Sequence, residues 1–323
     1  MHSVVFVVYP GFELLDVSGP IAAFNNANRA LAVQGHQLFY AIALVSGRGG
    51  AVASSSGVVV ETQAVGEFPA RVDTMLVAGA EREPLLQAVA DPALRRALPP
   101  RAAAAHRYGS VCTGAFVLAA LGLLDGHRVA THWDGCKPLA KSFPAVNVDP
   151  EALYVEDGQI WTSAGVTTGI DMALAMITRD LGVAIAGDVA KRLVLYARRP
   201  GYQSQFSPLL QAQAKADSPF ADLIGWMQAN LDGPLDVPQL ADRAGLSERT
   251  FHRRFVAATG DTPARFVEKT RLDAARMLLS RGLSLKSVAA QVGLFPATRL
   301  AAAFQRRFGV SPSLFRELHG ERA

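Results

Sequence analysis

Residues 235–315 carry one sequence pattern twice. Each copy places matching apolar residues ahead of a glycine, Gly245 in the first copy and Gly293 in the second. The matching residues downstream are Phe255, Gly260, Pro263 and Phe266 in the first copy and Phe304, Gly309, Pro312 and Phe315 in the second. A short helix, a glycine turn and a second helix, duplicated within one small unit, is typical of paired helix-turn-helix motifs. The pattern therefore predicts an all-α domain whose partner is double-stranded DNA.

Basic residues concentrate in the part of the chain that holds this repeat. Residues 218–323 contain 15 Lys and Arg against 10 Asp and Glu, whereas residues 1–200 contain 16 against 17. Neutralising a phosphate backbone requires an excess of cations on one face, so the asymmetry supports a polyanion-binding C-terminal part. The alternative interpretation is a charge excess that only keeps the domain in solution.

Length and composition predict two domains. A chain of 323 residues, 50% of them hydrophobic, can bury two ordinary cores. We expect an α/β domain over residues 1–199, a linker rich in Gln, Ser, Pro and Gly over 200–217, and a helical domain over 218–323.

The sequence also predicts a cytoplasmic protein. The chain start shows no basic region followed by an apolar stretch and a cleavage site, and no run of about 18 apolar residues occurs, so no membrane partner is expected. Cys112 and Cys136 are too few for a disulfide framework. No metal-ligand spacing surrounds them, and we expect neither a metal nor a cofactor.

Apolar strand-like runs alternate with helical patterns in the first 200 residues. The predicted strands are Val4–Tyr9, Leu38–Val45, Thr74–Val77 and Tyr108–Val111. The predicted helices are Val17–Leu31, Pro84–Leu98, Ala115–Leu121 and Gly169–Leu181. Strands buried on both faces and alternating with helices indicate a mostly parallel sheet in a layered α/β domain.

A strand runs straight into a helix through small residues at Cys112, which lies at the bend. Such an elbow exposes the residue at its apex, and the N–H groups and dipole of the following helix favour a thiolate. Cys112 is therefore a candidate for a reactive or ligand-sensing cysteine, with the hydroxyl of Thr113 beside it. The alternative is a small buried core residue, the usual state of a free cysteine.

Five motifs in order resemble the PfpI-type, class I glutamine amidotransferase-like fold, a flavodoxin-like layered α/β architecture. They are Leu14–Pro20, Ser110–Phe116, Gly122–Gly126, Thr131–Trp133 and Ala164–Asp171. Within that superfamily the motif pattern is most similar to that of isocyanide hydratases. The fusion to an AraC-type DNA-binding domain resembles the GlxA-like transcriptional regulators, and this resemblance covers nearly the whole chain.

The resemblance implies a site at the elbow. Asp16 matches the acid that faces the elbow cysteine, although an N-cap on the helix near Val17 would also explain an aspartate there. His132 matches a histidine downstream of the elbow, and Trp133 beside it would suit an aromatic pocket wall. Gly79 is the single glycine retained where superfamily enzymes have a glycine-rich turn, which narrows the space for an oxyanion and makes catalysis less expected. Asp16, Gly79, Cys112, Thr113 and His132 are thus predicted ligand-binding residues, and Cys112, Asp16 and Thr113 are the catalytic candidates.

The first reading helix is predicted to follow Ser247, a potential N-cap. Phe251 and Phe255 share its apolar face, while Arg249, His252 and Arg253 share a polar face. Those three side chains resemble the recognition surface of an AraC-type reader, where arginine can bond guanine bidentately. Arg254 is predicted to contact phosphate.

The second reading helix is mostly alanine on the corresponding face, with Thr298 and Arg299 as its polar candidates and Pro296 suited to its first turn. We expect the first helix to supply most base discrimination, while the second docks through Arg306, Arg307 and Arg316 on phosphates. A single helix over 264–280 is predicted to connect the two readers and to place them about 34 Å apart, one DNA turn.

The function predicted from these features is a transcriptional regulator, an activator by the AraC-type resemblance, controlled by a small-molecule effector in its N-terminal domain. The resemblance implies a nitrogen-containing metabolite as effector, a homodimer, and RNA polymerase as a partner. Two alternatives stay open: a cysteine-dependent hydratase or amidase, and a bifunctional regulator that turns over its inducer.

Overall fold

The computed structural model describes residues 1–69, 71–195, 201, 205, 220–308 and 310–319, with the backbone alone for 317–319. The chain divides into two compact units, Met1–Gln205 and Phe206–Ala323. Most of the predicted linker lies outside the described residues. Gly201 and Gln205 are its described members, and both belong to the first unit.

The first unit is built on an eight-stranded sheet of order β3-β4-β2-β1-β5-β6-β10-β9. The strands are β1 His2–Val7, β2 Tyr40–Ser46, β3 Gly50–Ala53, β4 Val59–Ala64, β5 Thr74–Val77, β6 Arg107–Val111, β9 Tyr154–Asp157 and β10 Ile160–Ser163, with β7 Arg128–Val129 and β8 Asn147–Val148 forming a separate pair. The six strands from β4 to β10 in sheet order pair in parallel, and β3 and β9 are antiparallel edge strands. The predicted layered, mostly parallel fold is confirmed.

Helices cover both faces of this sheet, as apolar strands buried on both sides require. They are α1 Leu14–Val33, α2 Arg82–Ala90, α3 Pro92–Ala104, α4 Ala115–Ala119, α5 Trp133–Ser142 and α6 Thr168–Arg192. α1 and α6 pack together on one face, in the core cluster that includes Phe24 and Met176. The cluster on the other face includes Leu94 of α3 and Leu118 of α4.

The predicted single helix Pro84–Leu98 is wrong, because the chain breaks into α2 and α3 at Asp91. Asp91 is extended, with φ −61° and ψ 116°, and its carboxylate accepts hydrogen bonds from Ala93 N (2.7 Å) and Leu94 N (3.3 Å). Pro92 follows at the first helical position, where its missing N–H costs nothing. The cap and the proline together start a new helix.

Four parallel strands end at one edge of the sheet. Val7 pairs with Val77, Val77 with Ser110, and Val111 with Ser163, so the carboxyl ends of β1, β5, β6 and β10 are in register. Ligand sites of open α/β sheets lie outside such carboxyl ends. The elbow cysteine directly follows β6 and therefore lies at this edge.

The second unit is helical. Its helices are α7 Ala221–Ala229, α8 Val237–Arg243, α9 Glu248–Thr259, α10 Pro263–Ser280, α11 Leu285–Gln291, α12 Ala297–Phe308 and α13 Pro312–His319. Gly245 and Gly293, with φ +65° and +64°, make the left-handed turns between α8 and α9 and between α11 and α12. Two helix-turn-helix motifs joined by the continuous helix α10 result, which confirms the predicted duplication and connector.

One arginine of the connector holds the two motifs together. Arg271 donates from Nε to Leu231 O (3.0 Å) and from Nη2 to Gly233 O (2.6 Å), in the turn that precedes α8. A Cβ on Gly293 would lie 2.8 Å from Arg271 Nη2, so the turn of the second motif packs against the same guanidinium. Within the described residues, no helix has the length and apolar character needed to cross a bilayer.

Candidate functional site

Asp16 is the centre of the elbow site. Its carboxylate is fully buried and accepts a hydrogen bond on each oxygen, from Gly79 N at 3.0 Å and from Val166 N at 2.7 Å. These donors lie after β5 and after β10, so the carboxylate joins the ends of two strands. The N-cap of α1 is Glu13, which accepts from Leu15 N, and the capping interpretation of Asp16 is therefore wrong.

Cys112 sits at the bend in a left-handed conformation, with φ +56°, and a single 3₁₀ turn leads from it into α4. Backbone passes close on both sides of it. A Cβ on Gly79 would lie 2.7 Å from Cys112 Cβ, and one on Gly165 would collide with Cys112 Cβ and Cα. Only glycine allows so close an approach, so both positions shape the space around the thiol.

The thiol of Cys112 lies beside the Asp16 carboxyl, and the two groups affect each other's ionisation. Burial raises the pKa of Asp16 from 3.8 to about 7, against the lowering effect of its two backbone hydrogen bonds. Burial, and then the Asp16 charge, raise the pKa of Cys112 far above its ordinary value. Desolvation and the neighbouring carboxyl therefore oppose the thiolate that the N–H groups of the elbow favour.

Two threonines hold the elbow in place through hydrogen bonds. Thr113 Oγ1 donates to Ala80 O (2.7 Å) and accepts from Ala80 N (2.9 Å), so its hydroxyl is used to hold the turn after β5 against the elbow. Thr131 Oγ1 donates to Cys112 O at 2.9 Å. The predicted residue Thr113 is thus brought to the site, in a positioning role.

His132 directly follows Thr131 and is half-buried at the start of α5. Burial lowers its pKa, while the nearby charges of Asp134 and Glu81 act in the opposite direction. Its ring centroid is 5.4 Å from that of Trp133, whose side chain is 51% exposed. A neutral imidazole and an indole therefore stand on the α5 side of the elbow, where an organic ligand could contact them.

Thr131, which binds the Cys112 carbonyl, also binds Gln205, the residue at which the first unit ends. Gln205 Nε2 donates to Thr131 O (2.9 Å) and to Ala152 O (3.1 Å). The side chain of Cys136 contacts the same carbonyl, with Sγ 3.7 Å from Thr131 O. The last residue of the first unit is thereby fastened to the residue that binds the Cys112 carbonyl.

Gly165 and Val166 are site residues to which the sequence analysis assigned no role. Val166 has φ +53°, a conformation that a β-branched residue rarely adopts, and this directs its N–H at Asp16. The motif Ala164–Asp171 carries both residues, but their function depends on a contact with a side chain 150 positions earlier. The glycine was the one local signal that could have indicated a close approach of backbone.

The first reading helix, α9, presents its predicted residues to solvent. Phe251 and Phe255 are fully buried, and Arg249, His252, Arg253 and Arg254 are all exposed. Ser247 occupies the N-cap position, with its hydroxyl 3.0 Å from that of Thr250. The predicted division of this helix into a core face and a polar face is therefore what the structure contains.

The second reading helix, α12, exposes Thr298 and Arg299 and buries Leu300 and Phe304. Its C-terminal arginines lie in ion pairs: Arg307 Nη2 is 3.0 Å from Asp273 Oδ1 and 3.1 Å from Oδ2, with a side chain only 17% exposed.

Arg306 pairs with Glu268 at 3.0 Å but keeps 68% exposure. Because Arg307 is tied to the connector, its geometry favours packing within the domain over the phosphate contact predicted for it. Arg306 is open enough to exchange its partner for a phosphate.

Comparison with known proteins gives matches over both units. The DJ-1/PfpI family matches residues 2–179, and a helix-turn-helix domain matches residues 240–318. The HTH-type transcriptional regulator CdhR of Pseudomonas aeruginosa is 32% identical over 309 residues, which cover 95% of this chain and 89% of that protein. The HTH-type transcriptional regulator GlxA of Rhizobium meliloti is 29% identical over 317 residues, covering 98% and 95%.

An enzyme is also similar, over a smaller part of the chain. The isonitrile hydratase of Pseudomonas putida is 32% identical over 200 residues, covering 62% of this chain and 80% of that protein. The matches to the regulators extend over both units of this chain, whereas the hydratase match covers 62% of it. By these matches and by its architecture, the chain belongs to the DJ-1/PfpI family, within its DNA-binding transcriptional regulators that carry a C-terminal helix-turn-helix domain.

Proposed function

We propose that a small-molecule effector binds at the Cys112–Asp16 site and that its binding changes the affinity of the helix-turn-helix domain for DNA. The observation that carries this proposal is the construction of the site at the carboxyl edge of four parallel strands. Two backbone N–H groups orient Asp16, and glycines approach Cys112 closely. His132 follows Thr131, which binds the Cys112 carbonyl. A ligand bound at this edge contacts several elements at once, so its binding free energy can favour one conformation of the domain over another.

The chemistry of the site favours binding without turnover. A cysteine nucleophile acts as a thiolate, whereas burial and Asp16 raise the pKa of the Cys112 thiol. An oxyanion needs N–H donors aimed at it, and the N–H of Gly79 is already donated to Asp16. Both observations disfavour acyl or hydration chemistry at Cys112.

Turnover of the effector is the second candidate function. A carboxyl with a pKa of about 7 is well matched to general acid–base work at neutral pH, and Asp16 has this value beside a thiol. The similarity to an isonitrile hydratase points the same way. A regulator that consumes its inducer would use Asp16 and Cys112 together.

The signal is proposed to leave the site through Thr131. This residue binds the Cys112 carbonyl with its hydroxyl and accepts from Gln205 with its own carbonyl. Since the chain continues from Gln205 into the second unit, displacement of residues 131–132 by a ligand would alter how the connection begins. A short, fully hydrogen-bonded route of this kind can have two discrete arrangements, which coupling between sites requires.

DNA recognition is proposed to rest on α9, whose Arg249, His252 and Arg253 offer hydrogen bonds to base edges, with Arg254 on phosphate. The protein would act in the cytoplasm as a homodimer on two half-sites and would activate transcription with RNA polymerase. Its effector is expected to be a nitrogen-containing metabolite.

Thermal unfolding in the presence of candidate ligands tests the effector site. Full-length protein and its Cys112→Ser variant would be screened against amino acids, quaternary amines, amides and isocyanides, since a bound ligand raises the apparent Tm. The proposal expects a ligand that stabilises the wild type, loses affinity in an Asp16→Asn variant and is recovered unchanged. Consumption by the wild type alone would replace the sensor with the second candidate function.

Substitution in each reading helix tests which of the two helices discriminates between DNA sequences. Arg253→Ala in α9 should abolish preference for a selected sequence over a scrambled one, while Thr298→Ala in α12 should cost less discrimination. Arg281→Ala, at the exposed end of the connector, serves as the control for loss of one positive charge. Equal loss of discrimination in the two reading-helix variants would contradict a dominant role for α9.

A further inference from the structure

The two reading helices place different chemistry at equivalent positions. Phe251 and Phe255 of α9 correspond to Leu300 and Phe304 of α12, and all four are fully buried. This alignment sets the α9 residues Arg249, His252 and Arg253 against the α12 residues Thr298, Ala301 and Ala302. At two of these three positions, the helix that would occupy the second major groove thus carries a methyl group where the first carries hydrogen-bond donors.

A further exposed apolar side chain lies just before the N-terminus of α12. Phe295 lies two residues before the helix and its side chain is 62% exposed. The N-terminal residues of a recognition helix are the ones that contact base edges. Thr298 and Ala302 are exposed four residues apart and so lie on one face of α12, beginning next to this ring.

Two arginines of α12 pair with acidic residues of the connector. Arg307 is held by Asp273, and Arg306 pairs with Glu268 in the last turn of the helix. Arg299 is exposed beside Thr298, but the positions equivalent to His252 and Arg253 of α9 hold Ala301 and Ala302. Phe295, Thr298 and Ala302 together therefore offer one hydroxyl and otherwise carbon.

We propose that α12 reads its half-site, here the part of the operator that this one helix contacts, through the 5-methyl groups of thymine. Phe295, Thr298 and Ala302 would contact these methyl groups. Thymine alone among the bases presents a methyl group in the major groove, and alanine, threonine and phenylalanine side chains are its usual contacts. The inference rests on the proposed function in one respect, that both helices enter the DNA. It assigns a bipartite operator, with guanine recognised by α9 and thymine recognised by α12.

Replacing thymine by uracil tests this assignment, since uracil keeps every hydrogen-bonding group and lacks only the methyl. Duplexes selected by the full-length protein from a randomised pool would be resynthesised with uracil in one half-site at a time. Each methyl lost under α12 should lower affinity about fourfold, the value of burying one methyl group, and uracil under α9 should leave affinity nearly unchanged.

An Ala302→Arg variant identifies which half-site α12 reads. It introduces arginine at the position equivalent to Arg253, and its selected sites should gain a guanine and lose the sensitivity to uracil there. Ala290→Arg, exposed on α11, controls for the added charge, and should change affinity without changing sequence. Sequence-selective binding that is indifferent to uracil in both half-sites would overturn the thymine contacts and leave DNA recognition intact. Binding without any sequence preference would overturn both.

Discussion

The side-chain amide of Gln205 donates a hydrogen bond to the main-chain carbonyl of Thr131, at 2.9 Å. Thr131 in turn donates its hydroxyl to the Cys112 carbonyl, also at 2.9 Å. Two hydrogen bonds thus separate the elbow from the residue at which the first unit ends. These bonds connect the candidate effector site with the chain that leads to the DNA-binding unit.

A Gln205→Ala variant is expected to separate effector binding from DNA binding. The variant removes the amide but leaves Cys112, Asp16 and their hydrogen bonds in place, so effector affinity should change less than twofold, while the effector should no longer alter DNA affinity. Gln159→Ala, an exposed glutamine in the β9–β10 turn, is the matched control and should respond as the wild type does. Full effector response in Gln205→Ala would contradict the route, and can be measured by fluorescence anisotropy on labelled duplex DNA.

Substituting Gly165 should disrupt the elbow. Alanine there must adopt φ +88° and its Cβ would collide with Cys112, whereas Gly182 has a similar φ of +86° and open space around it. Gly182→Ala is therefore expected to cost about 1–3 kcal/mol from backbone strain alone, because its ψ of 169° lies in a region that only glycine readily adopts. Gly165→Ala should cost at least about 2 kcal/mol more, or prevent folding of the first unit. Equal unfolding free energies of the two variants in urea would show that the close approach to Cys112 is unimportant.

The raised pKa of Asp16 predicts how stability depends on pH. The folded unit keeps the proton up to about pH 7, while the unfolded carboxyl loses it near 3.8. Stability contributed by this group is therefore greatest below pH 4, falls between pH 4 and 7, and is constant above.

The Asp16→Asn variant should lack this fall, and should also be less stable by about 1–3 kcal/mol because asparagine offers one acceptor oxygen to two N–H donors. Asp188→Asn, exposed on α6, should follow the wild type. Calorimetry of the first unit's transition in the full chain, between pH 4 and 8, measures both effects. Parallel curves for wild type and Asp16→Asn would contradict the raised pKa.

Much of the fold could be predicted because many of its strands and helices follow from local sequence patterns. The strands β1 and β5 contain the apolar runs Val4–Val7 and Met75–Val77, and the duplicated reader repeats its core residues at fixed spacing. The break at Asp91 was missed because the periodicity of Pro84–Leu98 continues through it, and β10 was missed because its four residues include Thr162 and Ser163, which are buried yet polar.

The elbow site was only half predictable, for a different reason. The sequence placed Cys112 at a bend, which φ +56° bears out, but its ionisation is set by burial and by Asp16, 96 positions earlier in the chain. The hydrogen bond from Val166 N to Asp16 depends equally on the meeting of two distant strand ends. Such groups come together only through the sheet order, which local sequence does not encode.

Burial and the neighbouring Asp16 carboxyl should also determine how reactive the Cys112 thiol is. In a Cys136→Ser background, Cys112 should react with iodoacetamide at pH 7.5 at least about tenfold more slowly than a free thiol, because burial and Asp16 keep it protonated. Unfolding in urea should restore the ordinary rate. Rapid alkylation of the native protein at pH 7 would mean that Cys112 is a thiolate and would favour the enzymatic alternative.

The most direct test of the account is a titration of operator binding with a stabilising ligand, using full-length wild type and Cys112→Ser, followed by quantification of the ligand. A sensor predicts that the ligand shifts the Kd for DNA by at least about fivefold in the wild type and is recovered in full after incubation. Unchanged DNA affinity, together with ligand consumption by the wild type and none by Cys112→Ser, would contradict the sensor and identify the elbow as an active site.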